Sequence, residues 1–354
     1  MEHKNKYKYK KGYYLAVVST LLAVIVVGLG AYTRLVHAGL SCPDWPGCYG
    51  FLTVPQTEKA IEIAQSRFPD VPVEIFKGWA EMVHRYLAGL LMLLVLILAV
   101  QSFRFRHTEG QPKKLPFFIL GIICLQAVFG MWTVTLKLWP QVVTGHLIGG
   151  FATLALLFLL TLRLSGFDWR ILPITLPLKR LKKLSSLGLA LVIVQITLGG
   201  WTSANYAALA CPDFPICQGK WLPPVDFKKG FDIGQQIGPN YLGGVMDSAS
   251  RMAIHLSHRV GAIVVFLVLL MMLFAARIYA KDLAKEDKKG LYRLSWFVLI
   301  ALLLQLFLGI GNVIWHLPLS IAVAHNLGGA LLLLSMVAFN YRISSFMGRD
   351  VQRG

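Results

Sequence analysis

Residues 29–48 read LGAYTRLVHAGLSCPDWPGC, and residues 198–217 read LGGWTSANYAALACPDFPIC. The second segment repeats the pattern of the first, with two cysteines enclosing a proline-containing loop. Each copy also follows a long apolar run of the sequence. A match of this length is not expected by chance, so we expect the two regions to fold alike.

The repeat extends well beyond these two segments. Three more pairs of segments align in the same order: EMVHRYLAG (81–89) with HLSHRVGAI (255–263), LQAVFGMWTV (125–134) with LQLFLGIGNV (304–313), and VVTGHLIGGFATL (142–154) with IAVAHNLGGALLL (321–333). The separation between partners grows only slightly along the chain, as loop insertions would explain. We therefore interpret the chain as two copies of one unit.

The composition is that of a membrane protein. Of 354 residues, 56% are hydrophobic and 15% are charged, whereas soluble domains have about 45–50% apolar and about 25% charged residues. A membrane-spanning helix needs roughly 20 apolar residues. Eight runs are long enough, near 14–36, 79–101, 115–136, 141–162, 184–204, 252–278, 293–315 and 318–340.

Positive charge is concentrated in the N-terminal segment, in alternate connections between the runs, and in the C-terminal segment. The positive-inside rule then predicts that both termini are cytoplasmic. The formal net charge of +18 is explained by topology and contact with anionic lipid, not by nucleic-acid binding. Because the first run lacks a small-residue cleavage site, we expect a retained helix in a bacterial inner membrane, not a signal peptide.

Four runs in each half give the two repeats the same direction through the membrane. We therefore predict an all-α polytopic membrane protein whose eight transmembrane helices form two pseudo-symmetric four-helix bundles. The predicted first bundle is 1–165, the cytoplasmic linker is 166–183, and the second bundle is 184–354.

Two long connections, 37–78 and 205–249, are predicted to lie over the outer mouths of these bundles. Each contains one cysteine pair. Segment 55–66 is predicted to be a short surface helix with Pro55 in its first turn.

Five cysteines are present. Cys42 with Cys48, and Cys211 with Cys217, are predicted to face an oxidising compartment, where a disulfide across each short loop is permitted. Each pair is interpreted either as a structural disulfide or as a redox-active one, since exposed disulfides are the labile ones. The spacing does not favour structural zinc. Cys124 is interpreted as a small apolar core residue.

Ionisable residues inside membrane spans are rare and usually functional. Four histidines occupy repeat-related positions near the outer ends of four spans: His84, His146, His258 and His325. Each half thus offers two imidazoles on different helices, the pattern that bis-histidine ligation of a haem requires. Glycines in TGHLIGG (144–150) and AHNLGGA (324–330) would admit a flat macrocycle or a neighbouring helix. The alternative is four packing histidines hydrogen-bonded across helices.

Charged residues beside these histidines differ between the halves. Arg85 and Arg259 each follow a predicted ligand, and we expect them to bind haem propionates; the alternative is snorkelling to lipid headgroups. Glu81 lies one helical turn before His84, where it could act as a general base, but the equivalent residue is His255. This asymmetry suggests that one haem is a substrate and the other a cofactor.

The sequence resembles the haem A synthase family in its motifs. The resemblance is carried by E-x-x-H-R at 81–85, H-x-x-H-R at 255–259, the histidines of TGHLIGG and AHNLGGA, and the paired outer cysteines. The resemblance covers nearly the whole chain. It implies oxidation of the C8 methyl group of haem O to a formyl group, giving haem A for terminal oxidases. It also implies a bound haem b, and haem O synthase and oxidase assembly factors as partners, and it allows a homo-oligomer.

The resemblance also implies a role for each site residue. His84 and His146 would be the axial ligands of the substrate haem, and His258 and His325 those of haem b. Glu81, Cys42 and Cys48 would be the catalytic residues, with His255 supporting the second site. The haem sites and cysteine loops would lie toward the periplasm.

Three other functions share parts of this pattern. A di-haem b cytochrome that transfers electrons, for example from quinol, needs the histidines but not Glu81. An outward-facing thiol–disulfide oxidoreductase needs the cysteines but no haem. A transporter built from repeats would carry polar residues near the bilayer midplane, not near the outer end.

Overall fold

The computed structural model describes residues 9–166 and 175–346. It is all-helical in these ranges, with no extended strands. The helices are α1 (Tyr13–Leu35), α2 (Glu58–Arg67), α3 (Ile75–Arg104), α4 (Leu115–Thr135), α5 (Pro140–Leu164), α6 (Leu176–Ala204), α7 (Phe227–Gly230), α8 (Ser248–Tyr279), α9 (Lys285–Ile314) and α10 (Leu319–Phe346). A short 3₁₀ helix (Ala280–Asp282) separates α8 from α9. Eight of these helices are long and apolar enough to cross a membrane, which confirms the predicted number of spans.

Several helix boundaries differ from the prediction, and two of these differences concern the connections. Helix α6 begins at Leu176, where the side chain of Thr175 accepts a hydrogen bond from the Leu178 amide, so part of the predicted linker is helical. Helix α2 begins at Glu58 behind the N-cap Thr57, and Pro55 lies outside it. Residues 167–174 of the predicted linker lie outside the described residues.

The first four long helices pack in a ring. In the described chain, α1 packs on α3 and α5, and α4 also packs on α3 and α5. The diagonal pairs, α1 with α4 and α3 with α5, do not pack together. The two helices that carry His84 and His146, α3 and α5, are thus diagonal partners in this ring.

The last four long helices repeat this arrangement. Helix α6 packs on α8 and α10, while α9 packs on α8 and α10. Within the described part of the chain, α8 and α10 do not pack on each other. The two sets meet through α1 with α10, α5 with α6, and α5 with α10.

The apolar core fills one end of both sets. It includes fully buried residues from the later parts of α5, α8 and α10, such as Leu157, Met272 and Phe339. The four histidines precede these core residues on their helices, so they lie toward the opposite end. Core packing fixes the helices at one end and leaves the other end for the site.

The connections at the histidine end pack over the helices. The first connection has its own buried cluster, which includes Cys42, Cys48 and Tyr49. The second connection also reaches the first set of helices, where the Trp139 indole N–H donates to the Gln235 carbonyl at 3.0 Å. The second connection therefore covers part of both halves.

Cys124 is exposed on α4. The prediction that it is a core residue is wrong, because its side of the helix faces away from the neighbouring helices. On a membrane-spanning helix, such a side chain is exposed to lipid.

Candidate functional site

The second half places two histidine rings close together, with their planes nearly perpendicular. The ring centroids of His258 on α8 and His325 on α10 are 6.4 Å apart, with their planes at 83°. Two imidazole nitrogens bound to opposite sides of one metal at about 2 Å would be about 4 Å apart, which puts their ring centroids roughly 6 Å apart. The separation of these rings therefore fits a metal between them.

The first half has the equivalent arrangement. His84 on α3 and His146 on α5 come from two helices that do not pack together, and the two rings are close enough to interact electrostatically. All four histidine residues are partly exposed. Both halves thus place their two histidines on diagonally opposite helices of a ring.

A glycine on a neighbouring helix lies against each histidine ring. A Cβ built on these glycines would stand only 3.0 to 3.5 Å from the imidazole Cε1, with Gly30 beside His84, Gly130 beside His146, Gly199 beside His258 and Gly309 beside His325. At Gly30, Gly199 and Gly309 an added Cβ would crowd the ring, whereas at Gly130 it would be in ordinary van der Waals contact. The first three glycines therefore limit the position of the neighbouring imidazoles.

The sequence analysis did not single out these four glycines. The repeat contains the signal, because Gly30 aligns with Gly199 and Gly130 aligns with Gly309. The glycines that were singled out have another role. A Cβ at Gly149 or Gly328 would overlap the side chain of Gln126 or Gln305 from the adjacent helix, so these two positions admit a neighbouring helix.

The histidine rings have unused hydrogen-bonding capacity. In the described structure, the Nδ1 atoms of His84, His146 and His325 are buried without a hydrogen-bond partner. The Nδ1 of His258 is 3.0 Å from the amide nitrogen of Gln195. The Nε2 of His325 is 3.4 Å from the side-chain amide nitrogen of Gln305. Two of the four histidines thus contact a glutamine on a neighbouring helix, as the packing alternative expects, whereas three buried Nδ1 atoms lack the partner that buried polar atoms normally have. No group of three or more His, Cys, Asp or Glu residues that could hold a metal ion occurs among the described residues, which disfavours a zinc site.

Glu81 is buried beneath the first disulfide loop, with 5% of its surface exposed. Its Oε2 accepts a hydrogen bond from the Cys42 amide at 3.0 Å. Its Oε1 accepts one from Arg85 at 2.5 Å. The carboxylate is therefore held on the same helix as His84 and one turn before it.

His255 takes the equivalent place in the second half. It is also 5% exposed, and its Nδ1 lies 3.4 Å from the Cys211 amide nitrogen. The two halves thus place different chemical groups, a carboxylate and an imidazole, at the same contact with a cysteine loop. The difference predicted from the sequence is located at one structurally equivalent position.

Arg85 and Arg259 both hold the disulfide loops. Arg85 donates to the carbonyls of Asp44 at 2.9 Å and Gly47 at 2.6 Å. Arg259 donates to the carbonyls of Cys211 at 2.9 Å and Asp213 at 2.8 Å. These contacts join each loop to the helix that carries a histidine.

Both loops are closed by disulfides, Cys42–Cys48 and Cys211–Cys217. An aspartate stabilises each loop, a role that the sequence analysis did not assign. Asp44 accepts from the amides of Tyr49 and Gly50 at 2.6 and 2.7 Å. Asp213 accepts equivalent bonds from Gln218 and Gly219 at 2.6 and 2.8 Å, and these N–H groups lower the pKa of Asp213. The sequence Cys-Pro-Asp, which occurs in both loops, could have predicted this role of the aspartates.

Known proteins share this sequence along most of its length. The chain matches the COX15-CtaA family, described as cytochrome oxidase assembly protein, over residues 13–337. It is 46% identical to the haem A synthase of Shewanella oneidensis over 328 residues, covering 93% of this chain and 95% of that protein. It is 28% identical to the haem A synthase of Mesorhizobium japonicum over 351 residues (94% and 89%) and 27% identical to that of Rickettsia massiliae over 338 residues (90% and 94%). The chain therefore belongs to the haem A synthase family.

Proposed function

We propose that this protein is an oxidoreductase that converts haem O to haem A by oxidising the C8 methyl group to a formyl group. The observation that supports this most directly is the pair of equivalent two-histidine sites, of which only the first has a buried carboxylate beside it. A di-haem electron-transfer protein would explain the four histidines. It would not explain why Glu81 is buried next to one site and replaced by His255 at the other.

The proposed architecture is two parallel four-helix bundles, 1–165 and 184–354, joined by the linker 166–183. The equivalent rings of helices, α1-α3-α4-α5 and α6-α8-α9-α10, support it. We further propose that both termini are cytoplasmic, and that the histidines and disulfide loops lie toward the periplasm of a bacterial inner membrane. The distribution of Lys and Arg supports this orientation.

In this proposal, His84 and His146 are the axial ligands of the substrate haem, and His258 and His325 are those of a haem b cofactor. The separation of His258 from His325, the glycine beside each ring and the unpartnered Nδ1 atoms all fit bis-imidazole binding. When bound, haem b supplies one-electron redox chemistry. Among the described residues, no third His, Cys, Asp or Glu joins either histidine pair in a group that would favour a different metal.

We propose that Glu81 accepts protons that the oxidation releases. Converting a methyl to a formyl group takes one oxygen from water and releases four protons and four electrons, in two successive two-electron oxidations. The electrons leave for an oxidant outside the chain. A carboxylate within the site can accept a proton from the attacking water. Arg85 and the Cys42 amide fix its orientation, so Arg85 and the disulfide loop are positioning elements for this base.

Propionate binding by Arg85 and Arg259 stays a prediction. Their hydrogen bonds to loop carbonyls give them a positioning role in any case. Haem O synthase as the supplier of substrate, oxidase assembly factors as partners, and a homo-oligomer stay predictions too.

A thiol–disulfide oxidoreductase is less well supported. Cys42, Cys48 and Cys211 are fully buried, and Cys217 is 1% exposed. Thiol–disulfide exchange requires a thiolate to reach a sulfur atom. We therefore propose that the disulfides position Arg85, Arg259 and the residues beneath the loops.

The experiment that tests the function is Glu81→Gln, expressed in cells that make haem O. The glutamine keeps an acceptor for the Cys42 amide but cannot take a proton at neutral pH. We expect haem A formation to fall at least 100-fold, as when a general base is lost, while haem still copurifies. Haem extraction with chromatography and mass measurement gives the product.

The matched control is Glu74→Gln. Glu74 precedes the same helix and forms an exposed ion pair with Lys77 at 2.7 Å, so we expect normal haem A levels. Normal haem A levels in Glu81→Gln would contradict the role of this carboxylate. Absence of haem from the purified wild-type protein would contradict both histidine sites.

A further inference from the structure

A cleft of about 350 Å³ lies between α5, α6 and α10, at the end opposite the disulfide loops. We name it the inner cleft and define it by Leu156, Arg163, Leu189, Val337, Asn340 and Tyr341. It lies where the two halves of the molecule meet. None of the residues proposed for haem binding or catalysis lines it.

The inner cleft is amphipathic along its length. Leu156, Leu189 and Val337 form an apolar section, and Arg163, Asn340 and Tyr341 form a polar one. The lining of α5 extends from Ala155 to Arg163, which at 1.5 Å per residue is about 12 Å. The polar section is at the end of α5 that faces the predicted cytoplasmic surface.

Within the described residues, the guanidinium group of Arg163 in the polar section has no acidic partner. The Nε of Arg163 is buried with no hydrogen-bond partner, and Arg163 makes no salt bridge within the described residues. Lys10 is nearby, and the pKa of Lys10 is lowered first by burial and then by the charge of Arg163. On this side of the described chain the buried acid Asp287 is already paired with Arg342 at 2.6 Å.

Hydrogen bonds order the polar side chains at the rim of the cleft. The Lys182 ammonium group donates a hydrogen bond to the Ser344 hydroxyl, and Ser344 also lines the cleft. The side-chain amide of Asn340 donates a hydrogen bond to the Ser185 carbonyl at 2.9 Å. The polar section thus places ordered side chains around the guanidinium group of Arg163.

We propose that the inner cleft binds one anionic phospholipid from the adjacent leaflet, with its phosphate against Arg163 and one acyl chain along Leu156, Leu189 and Val337. A phosphate satisfies a guanidinium through charge-assisted hydrogen bonds, and basic pockets between transmembrane helices suit anionic headgroups. A soluble anion would use only the polar section. A lipid without net charge would leave the positive charge of Arg163 uncompensated. The proposal does not depend on the proposed catalytic function.

Because the cleft is built from α5 of one half and α6 and α10 of the other, a bound lipid would contact both halves. It would also neutralise the repulsion between Lys10 and Arg163. The lipid would therefore act as a structural ligand at the junction.

The test uses the full-length protein, purified in detergent and examined by native mass spectrometry. It is supplied with equal amounts of phosphatidylglycerol and phosphatidylcholine of the same acyl composition. We expect one phosphatidylglycerol to remain bound under conditions that remove phosphatidylcholine. Arg163→Gln should lower its occupancy about tenfold, because a charge-assisted contact to phosphate is lost.

Arg277→Gln is the matched control. Arg277 lies in the last turn of α8 and is exposed, so the same change of charge on the same side should leave occupancy unchanged. Leu156→Trp should also lower occupancy by filling the apolar section without altering charge. Lower occupancy in Leu156→Trp as well would show that the site itself is lost, and not that Arg163→Gln misfolds the protein.

Three outcomes would overturn the proposal. Equal retention of phosphatidylcholine would show that the cleft does not select a charged headgroup. Equal losses in Arg277→Gln and Arg163→Gln would show that only general surface charge matters. Displacement of the lipid by millimolar sn-glycerol 3-phosphate would identify a site for a soluble phosphate. Haem A formation is measured separately, so failure here is distinguishable from failure of the proposed function.

Discussion

At the residue scale, the glycines beside the histidines are as restrictive as the histidines themselves. Gly309 belongs to α9 and His325 to α10, and the small residue lets the ring lie against the neighbouring backbone. The same relation occurs four times in the molecule. The position of each of these histidine rings is therefore constrained by a neighbouring helix that carries none of the four histidines.

Gly309→Ala tests whether the glycine fixes the position of the His325 ring. The added Cβ would stand 3.0 Å from the His325 Cε1, so the ring must move away from its position opposite His258. Overpacking of this kind costs about 1–3 kcal/mol. We expect the haem b content of the purified protein, measured by its absorbance relative to protein, to fall by more than half.

Gly290→Ala provides the comparison on the same helix. A Cβ at Gly290 meets nothing within 4 Å, so haem content should match that of the wild type. If Gly309→Ala also kept its full haem content, His325 would not be a haem ligand positioned by Gly309.

At the element scale, each disulfide loop is joined to the helix beneath it through one arginine and one amide. In the first half, the amide of Cys42 contacts Glu81 directly. In the second half, the Cys211 amide contacts His255 instead. The two loops are alike as structural elements, but only the first orients a carboxylate.

Removing each disulfide should distinguish an effect on stability from an effect on haem A formation. One double variant combines Cys42→Ser with Cys48→Ser, and the other combines Cys211→Ser with Cys217→Ser. In each, loss of a short closed loop lowers the free energy of unfolding by about 2 kcal/mol through chain entropy. We expect similar decreases in thermal stability for both double variants. Haem A formation should fall strongly only in the first, because Glu81 loses its fixed donor.

Thermal unfolding in detergent and haem extraction from the expressing cells measure the two effects. The second double variant serves as the control for general destabilisation. Equal losses of haem A formation in both would mean that the first loop has no special relation to the reaction.

Elements differ in how well their sequence predicts them. The eight spans and the helices that carry the histidines follow from apolar length and the repeat. The start of α6 at Leu176 does not, because its first turns contain Lys179, Arg180 and Lys182, which form helix readily without being apolar. The contacts of Arg85 with Asp44 and Gly47 depend on how a distant loop folds back, which the local pattern does not encode.

At the scale of the whole molecule, the two halves are joined asymmetrically. Arg34 donates to the Ser203 carbonyl at 2.7 Å and to the Tyr206 hydroxyl across the junction. His37 stacks on the same Tyr206 ring, with centroids 5.7 Å apart. The repeat places Ser203 where the first half has Arg34, so these polar contacts are made in one direction only. The two halves thus share one arrangement of helices but differ in single side chains at their junction.

The proposed orientation of the whole molecule rests on its charge distribution and can be tested directly. Leu222, in the connection that follows α6, is 91% exposed. Glu109, in the connection between α3 and α4, is also exposed. If basic connections are cytoplasmic, these two positions lie on opposite sides of the membrane.

Single cysteines at these two positions report the orientation. In a Cys124→Ser background, which removes the exposed thiol of α4, spheroplasts are treated with a membrane-impermeant maleimide. Leu222→Cys should be labelled in intact spheroplasts, and Glu109→Cys only after lysis. The reverse pattern would place the disulfide loops in the reducing cytoplasm, where such disulfides rarely persist. It would also move both histidine sites to the cytoplasmic side, so this labelling tests the orientation on which the proposed periplasmic location of the site depends.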